Sequence, residues 1–166
     1  IKTFNSILSI SKVESGTSDL DRNPVSLKEL ILNMHELYEP IADADGIKFN
    51  YEVNEDIIIN GNYNLLSQAL ANLIENAINY GCSNDNPSIN VGAKKNENLL
   101  SLWVSDNGVG IRDADKNKVL ERFVRLDSSR SLKGSGLGLN LVSSAVKFHE
   151  GTLKLINAKP SGLIIL

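Results

Sequence analysis

Asn62-Tyr-Asn-Leu-Leu-Ser-Gln-Ala-Leu-Ala-Asn-Leu-Ile-Glu-Asn-Ala-Ile-Asn-Tyr80 is the most regular stretch of the chain. Leu65, Leu66, Ala69, Leu70, Leu73, Ile74, Ala77 and Ile78 recur at helical spacing and form one apolar stripe, and Gly81 supplies a stop. Upstream, Ser26 and Glu29 form a capping box. It opens a second amphipathic helix, with Leu27, Leu30, Ile31, Met34, Leu37, Tyr38 and Ile41 on one face and an end near Ala44. Ile47 to Val53 alternates as a strand does, and Ile57 to Ile59 is a short second one. Downstream, Ser88 to Ala93 and Leu99 to Asp106 predict a hairpin joined by the polar Lys94 to Asn98. A third helix is expected from Gly138 to His149, with Leu141, Val142, Ala145, Val146 and Phe148 inward and Gly151 as its C-terminal cap. Two strands, Thr152 to Asn157 and Gly162 to Leu166, close the chain. This order predicts an α+β two-layer sandwich: a mixed, mostly antiparallel sheet with three helices on one face.

The ends and the composition narrow the class further. Asn5 to Glu14 has helical spacing and stops at Gly16, and Thr17 to Pro24 is polar and turn-rich. The expected organisation is a helix end at 1–16, a linker at 17–25 and one domain at 26–166. The chain starts at Ile1, so it is expected to be an excised piece of a longer protein. With 166 residues, 42% hydrophobic and 22% charged, it can bury a core without staples. Its one cysteine, Cys82, excludes an internal disulfide and suits a reducing compartment. Lys+Arg 17 against Asp+Glu 20 gives a net charge of −3 and no support for nucleic-acid binding. No apolar run approaches the ~20 residues of a membrane helix.

Chemistry-bearing residues fall into four groups. Gln68, Asn72, Asn76 and Tyr80 are spaced by four along one helix edge. Neutral amide oxygens there can bind Mg²⁺ without repelling phosphate, or form a polar edge facing water. Asp106-Asn-Gly108-Val-Gly110-Ile111 places a carboxylate at a strand end before two glycines. Such a carboxylate can select the amino group of adenine, or the stretch is a hairpin exit turn. Gly134-Ser-Gly136-Leu137-Gly138-Leu139 precedes a helix and can offer backbone N–H groups to phosphate. No βαβ unit surrounds it and no Gly-Lys-Ser/Thr follows, so it is neither a dinucleotide fingerprint nor a P-loop. Between these, Arg112 to Lys133 holds seven basic and four acidic residues, a local +3. Arg122, Phe123, Arg125, Arg130 and Lys133 there read as a binding loop or as a solvated charged one.

In this order the four groups resemble the catalytic, ATP-binding domain of bacterial sensor histidine kinases, which has the Bergerat fold. Asn72-Leu-Ile-Glu-Asn76-Ala is similar to that family's N box, and Asp106 to Ile111 to its first glycine box. Glu121-Arg-Phe-Val-Arg125 with Asp127 and Arg130 resembles its F box, and Gly134 to Leu139 its second glycine box. The resemblance runs from about Ser26 to Leu166, and Ile10 to Gly16 looks like the end of the family's dimerisation and phosphotransfer hairpin.

The resemblance implies that Asn76 holds Mg²⁺ with Asn72 assisting, and that Asp106 binds the adenine amino group. It implies that Gly110 lets the base sit close, with Tyr80 near the nucleotide. Arg125 and Arg130 would meet the phosphates from a long ATP lid, which Phe123 would anchor to the body. Gly136 and Gly138 would hinge that lid and supply donors, and Gly108, Ile111, Gly134, Leu137 and Leu139 complete the site. Implied partners are the protein's own hairpin, in a homodimer, and a response regulator receiver domain. The implied setting is the cytoplasmic part of a membrane-bound sensor, with no membrane insertion of this piece. Asn79 stands where the family usually has Lys or Arg, and Val124 replaces an aromatic.

His35-Glu-Leu-Tyr-Glu-Pro40 mimics the family's phosphoacceptor string. Only 37 positions separate His35 from Asn72, and two strands are expected among them. At about 1.5 Å per residue no helical hairpin fits there, so the acceptor is expected elsewhere. His149, at a helix end, is expected to favour the helix dipole and to have no catalytic role. A hydrolytic relative such as gyrase carries Glu four residues before the Mg²⁺ asparagine; here that position is Asn72, which is no general base. The same motifs would also suit an anti-sigma type serine/threonine kinase or a degenerate, non-enzymatic binding module.

Overall fold

The computed structural model describes residues 8, 10–11, 21–81, 85–96, 99–124, 136–158 and 161–165. Among these, three long helices pack with seven strands in two sheets: β1 (Asn23–Ser26), α1 (Leu27–Ala44), β2 (Lys48–Glu52), β3 (Ile58–Gly61), α2 (Tyr63–Tyr80), β4 (Ser88–Asn96), β5 (Leu99–Asp106), α3 (Gly138–Phe148), β6 (Leu155–Asn157) and β7 (Leu163–Ile165). The larger sheet has the order β2-β4-β5-β7-β6; β2 runs parallel to β4 and the other pairs are antiparallel. β1 and β3 form a separate antiparallel pair. The expected α+β sandwich with a mixed, mostly antiparallel sheet is the observed architecture.

The helices start where their caps allow. Ser26 Oγ accepts from Glu29 N–H at 3.1 Å, and Asn62 Oδ1 accepts from Leu65 N–H at 3.0 Å. Pro40 lies inside α1, on its exposed side, without ending it. α1 and α2 lie on the sheet, while α3 lies chiefly against α2. One core takes in Leu30, Ile31, Leu70, Ile74, Ile89, Val91 and, from α3, Val142 and Ala145.

Three local differences from expectation have physical reasons. Asn23 to Val25, expected as linker, are strand because Val25 pairs with Ile59 and is buried. The cap of α3 falls one residue earlier than Gly151. Glu150 takes the left-handed conformation (φ 60), while Gly151 N–H bonds Val146 O at 2.9 Å and Glu150 N–H bonds Lys147 O at 3.0 Å. His149 does not act as a helix-end cation. Its Nδ1 faces Ala145 O at 2.7 Å, and Asn62 N–H donates to its Nε2 at 2.9 Å. Only a neutral ring can donate at one nitrogen and accept at the other, and burial lowers its pKa.

Of the expected hairpin end, Leu8, Ile10 and Ser11 are helical. Ile10 is 2% exposed and packs with Leu137 and Leu141 at the start of α3, apart from the main core.

Candidate nucleotide site

Asp106 ends β5 directly opposite Ile89. Opposed residues share a face, and Ile89 is buried under the helices, so the Asp106 side chain points the same way. Burial pushes its carboxyl above the usual aspartate value, against the backbone N–H groups of Gly108 and Leu163, which favour the charge. Gly108 N–H donates to Asp106 Oδ1 at 2.9 Å. Gly81, the cap of α2, backs this turn: a Cβ there would lie 2.5 Å from Asp106 Cγ, and one on Gly108 would overlap Gly81 O. Gly110 has φ 70. The end of α2 and the first glycine turn are therefore in backbone contact, and glycine at 108 is what permits it.

Along α2, Gln68, Asn72, Asn76 and Tyr80 are half-buried on the edge beside the core stripe. Asn72 Nδ2 donates to Gln68 O at 2.7 Å, and its oxygen faces Gly138, a Cβ on which would lie 3.0 Å away. Asn76 makes no side-chain hydrogen bond to another described residue. Glu75, its neighbour, accepts from Tyr38 OH at 2.9 Å. Burial and then the Glu75 carboxylate raise the Tyr38 phenol above its ordinary value. Asn79 is exposed, and its Nδ2 donates to Glu75 O at 2.7 Å.

The remaining motifs meet one another at the start of α3. Phe123 N–H donates to Gly136 O at 3.0 Å, and Gly136 has φ 70. Asn140 Nδ2 reaches Leu120 O at 3.1 Å, a second tie between the stretch before the F-box residues and α3. Leu137 is buried and Leu139 half-buried. The Phe123 side chain is 65% exposed and its φ is 62, so the expected anchoring of a lid by this ring is not observed; the backbone makes the tie instead. Ile111 is half-buried and packs on the main core. Beyond it, Asp115 is buried and paired with Arg112 at 2.6 Å. Cys82, Arg125, Asp127, Arg130, Lys133 and Gly134 lie outside the described residues.

The structure thus sets Gly138 against Asn72 midway along α2, and Asp106 with Gly108 against Gly81 at its C-terminal end. The decoy histidine lies elsewhere. His35 Nε2 is 3.2 Å from Phe49 O, its ring stacks on Phe49 at 4.9 Å, and its side chain is 12% exposed. A cleft of about 390 Å³ lies at the N-terminal ends of α1 and α2, lined by Asp21, Glu29, Asn62 and Tyr63 among others, away from these motifs.

Sequence reasoning missed a set of braces on the first glycine turn. Asn107 Nδ2 donates to Asn86 O at 2.8 Å and its Oδ1 accepts from Ser88 N–H at 2.9 Å. Ser161 Oγ donates to Asn107 O at 3.1 Å, and Asn157 Oδ1 accepts from Ile111 N–H at 3.3 Å. Gly162 (φ 112) packs so closely that a Cβ would overlap Asp106 O. Only the Asp-Asn-Gly turn composition hinted at any of this, and it named Asn107 alone.

Residues 61–165 match the family model described as histidine kinase-, DNA gyrase B- and HSP90-like ATPase. An uncharacterized sensor-like histidine kinase of Rhizobium meliloti is 32% identical over 170 residues, covering 100% of this chain and 32% of that protein. Among solved structures, the mycobacterial sensor histidine kinase MprB superposes with TM-score 0.76 at 30% identity, covering 86% of this chain and 94% of that one. Full-length ShkA in complex with AMPPNP superposes with TM-score 0.80 at 22% identity, over 97% of this chain and 33% of that one. The chain belongs to the histidine kinase-like ATPase family and is a catalytic, ATP-binding domain of the sensor histidine kinase type. It spans between about a fifth and two fifths of the length of the curated relatives it matches.

Proposed function

We propose that this chain binds Mg²⁺-ATP and donates the γ-phosphate to a histidine on a separate helical hairpin, for relay to a response regulator receiver domain. The observation that carries this is that α2, which bears the half-buried amides Asn72 and Asn76, abuts at its Gly81 end the turn that holds the half-buried carboxylate Asp106. Asp106 accepts the adenine amino group, with one of its oxygens steadied by Gly108 N–H. Gly110 admits the base, and Tyr80 and Ile111 border it.

The amide oxygens of Asn76 and Asn72 suit a hard divalent cation. Asn76 has no side-chain partner among the described residues, and Asn72 already spends its donor on Gln68. These two would hold Mg²⁺, which when bound neutralises phosphate charge. Gly136, Leu137, Gly138 and Leu139 offer backbone at the start of α3, where phosphate is favoured. Phe123, Arg125, Arg130 and Gly134 complete the set from the lid. Catalysis here is positioning and charge neutralisation. Glu75, bound by Tyr38 on the α1 side, is not placed as a base for water, which disfavours the hydrolytic reading.

Residues 1–16 would end the hairpin and the stretch up to β1 would link it to the catalytic domain, with the hairpin dimerising the parent in the cytoplasm. No helix among the described residues is long and apolar enough to cross a membrane. Calorimetric titration with Mg²⁺-ATP is the test. Binding that is lost with GTP and in Asp106→Asn supports the reading. A chain that binds no ATP is instead a degenerate module.

A further inference from the structure

We infer that the β6–β7 connection is a positioning device for base recognition: Asn157 and Ser161 set the Asp106–Ile111 turn without themselves touching nucleotide. This rests on the adenine role of Asp106 given above.

Three contacts reach that turn from this side, each at a different point. Leu163 N–H faces the Asp106 carboxylate, Ser161 Oγ holds Asn107 O at 3.1 Å, and Asn157 Oδ1 takes Ile111 N–H at 3.3 Å. Gly162 closes the approach, since a Cβ on it would overlap Asp106 O and one on Gly110 would lie 2.8 Å from Gly162 O. The carboxylate, the carbonyl after it and the residue after Gly110 are thereby tied to the end of β6, at Asn157, and to the entry into β7, at Ser161 and Leu163. β7 is hydrogen-bonded to β5, the strand that carries Asp106, so the brace and the braced turn share a rigid frame.

A turn containing Gly108 and Gly110 has wide backbone freedom of its own. Part of its ordering therefore comes from outside the turn, and the side-chain bonds from Asn157 and Ser161 are a share of it that substitution can remove while leaving the turn's own residues and the Asn107 bonds in place. Both side chains are exposed, so their loss opens no cavity in the core.

The test compares two nucleotides on the full chain by calorimetry: ATP, and purine riboside triphosphate, which lacks the exocyclic amine. The double variant Asn157→Ala with Ser161→Ala is expected to bind ATP about tenfold more weakly, as loss of oriented hydrogen bonds implies. Its affinity for the amine-free nucleotide should change far less, so discrimination between the two shrinks. Asn157→Asp, which keeps the acceptor, should retain most of the affinity that Asn157→Ala loses. An equal loss for both nucleotides would mean general damage and would overturn the inference, as would an unchanged ATP affinity. Wild-type chain that fails to prefer ATP over the amine-free nucleotide would instead overturn the adenine role of Asp106, and this inference with it.

Discussion

His149 shows how much one proton decides. Its ring joins α3 to the cap of α2, donating to Ala145 O and accepting from Asn62 N–H, and it fits beside Gly61 because that residue has no side chain. A histidine whose pKa is lowered on folding gives stability that is fully present above its ordinary value of about 6.5. That stability is lost as pH falls through the lowered value. His149→Phe should cost about 1–2 kcal/mol at pH 8, because Asn62 N–H loses its acceptor. The gap between wild type and variant should narrow in urea melts run at progressively lower pH. Asp106 has the opposite sign: its raised pKa marks a carboxylate whose burial costs stability at neutral pH. Asp106→Asn should therefore lose ATP binding while melting at the same temperature as wild type or higher. A parallel drop in both would show that the carboxylate is structural. ATP affinity should also fall with pH from above the ordinary aspartate range, as the acceptor becomes protonated. The residue types of the site were legible from sequence because helix spacing and paired glycines are local patterns. The protonation state of His149 was not, since its partner Asn62 is distant in the chain.

At the level of elements, all three long helices were readable because apolar spacing and caps lie within each segment. β1 was not. Four residues including a proline carry little strand signal, and their pairing with β3 depends on α1 folding back between them. The end of α3 was misread by one residue for a similar reason. Glycine is the usual left-handed cap, yet Glu150 occupies that position beside Gly151. Glu150 meets Arg22 at 2.9 Å, and Arg22 also bonds Phe148 O and lies over the Phe148 ring. An exposed ion pair is worth little, whereas a left-handed non-glycine residue costs about 1–2 kcal/mol. Glu150→Gly should therefore raise unfolding free energy by about 1 kcal/mol, measured by chemical denaturation. A loss of stability would mean that the Arg22 cluster outweighs the backbone relief. The β6–β7 brace left no mark in the sequence, because single Asn, Ser and Gly residues in a turn have no pattern to read.

For the molecule as a whole, Ile10 packs on Leu137 and Leu141 at the start of α3, beside the second glycine motif. Burying one isoleucine stabilises the docked arrangement by about 2 kcal/mol. Ile10→Asp should free the segment. Amides in the first turn of α3 should then exchange about thirtyfold faster, while those of β4 and β5 keep their protection. Unchanged exchange would show that the seat holds without its occupant. Leu137 stands between Gly136 and Gly138, so the hydrophobic seat and the second glycine motif are built from the same backbone. Whatever free energy makes a nucleotide prefer one arrangement of that backbone returns, in equal measure, as a preference of Ile10 for its seat. The seating of Ile10 and the occupancy of the proposed site would then be two coordinates of a single equilibrium, a pull on either being felt by the other.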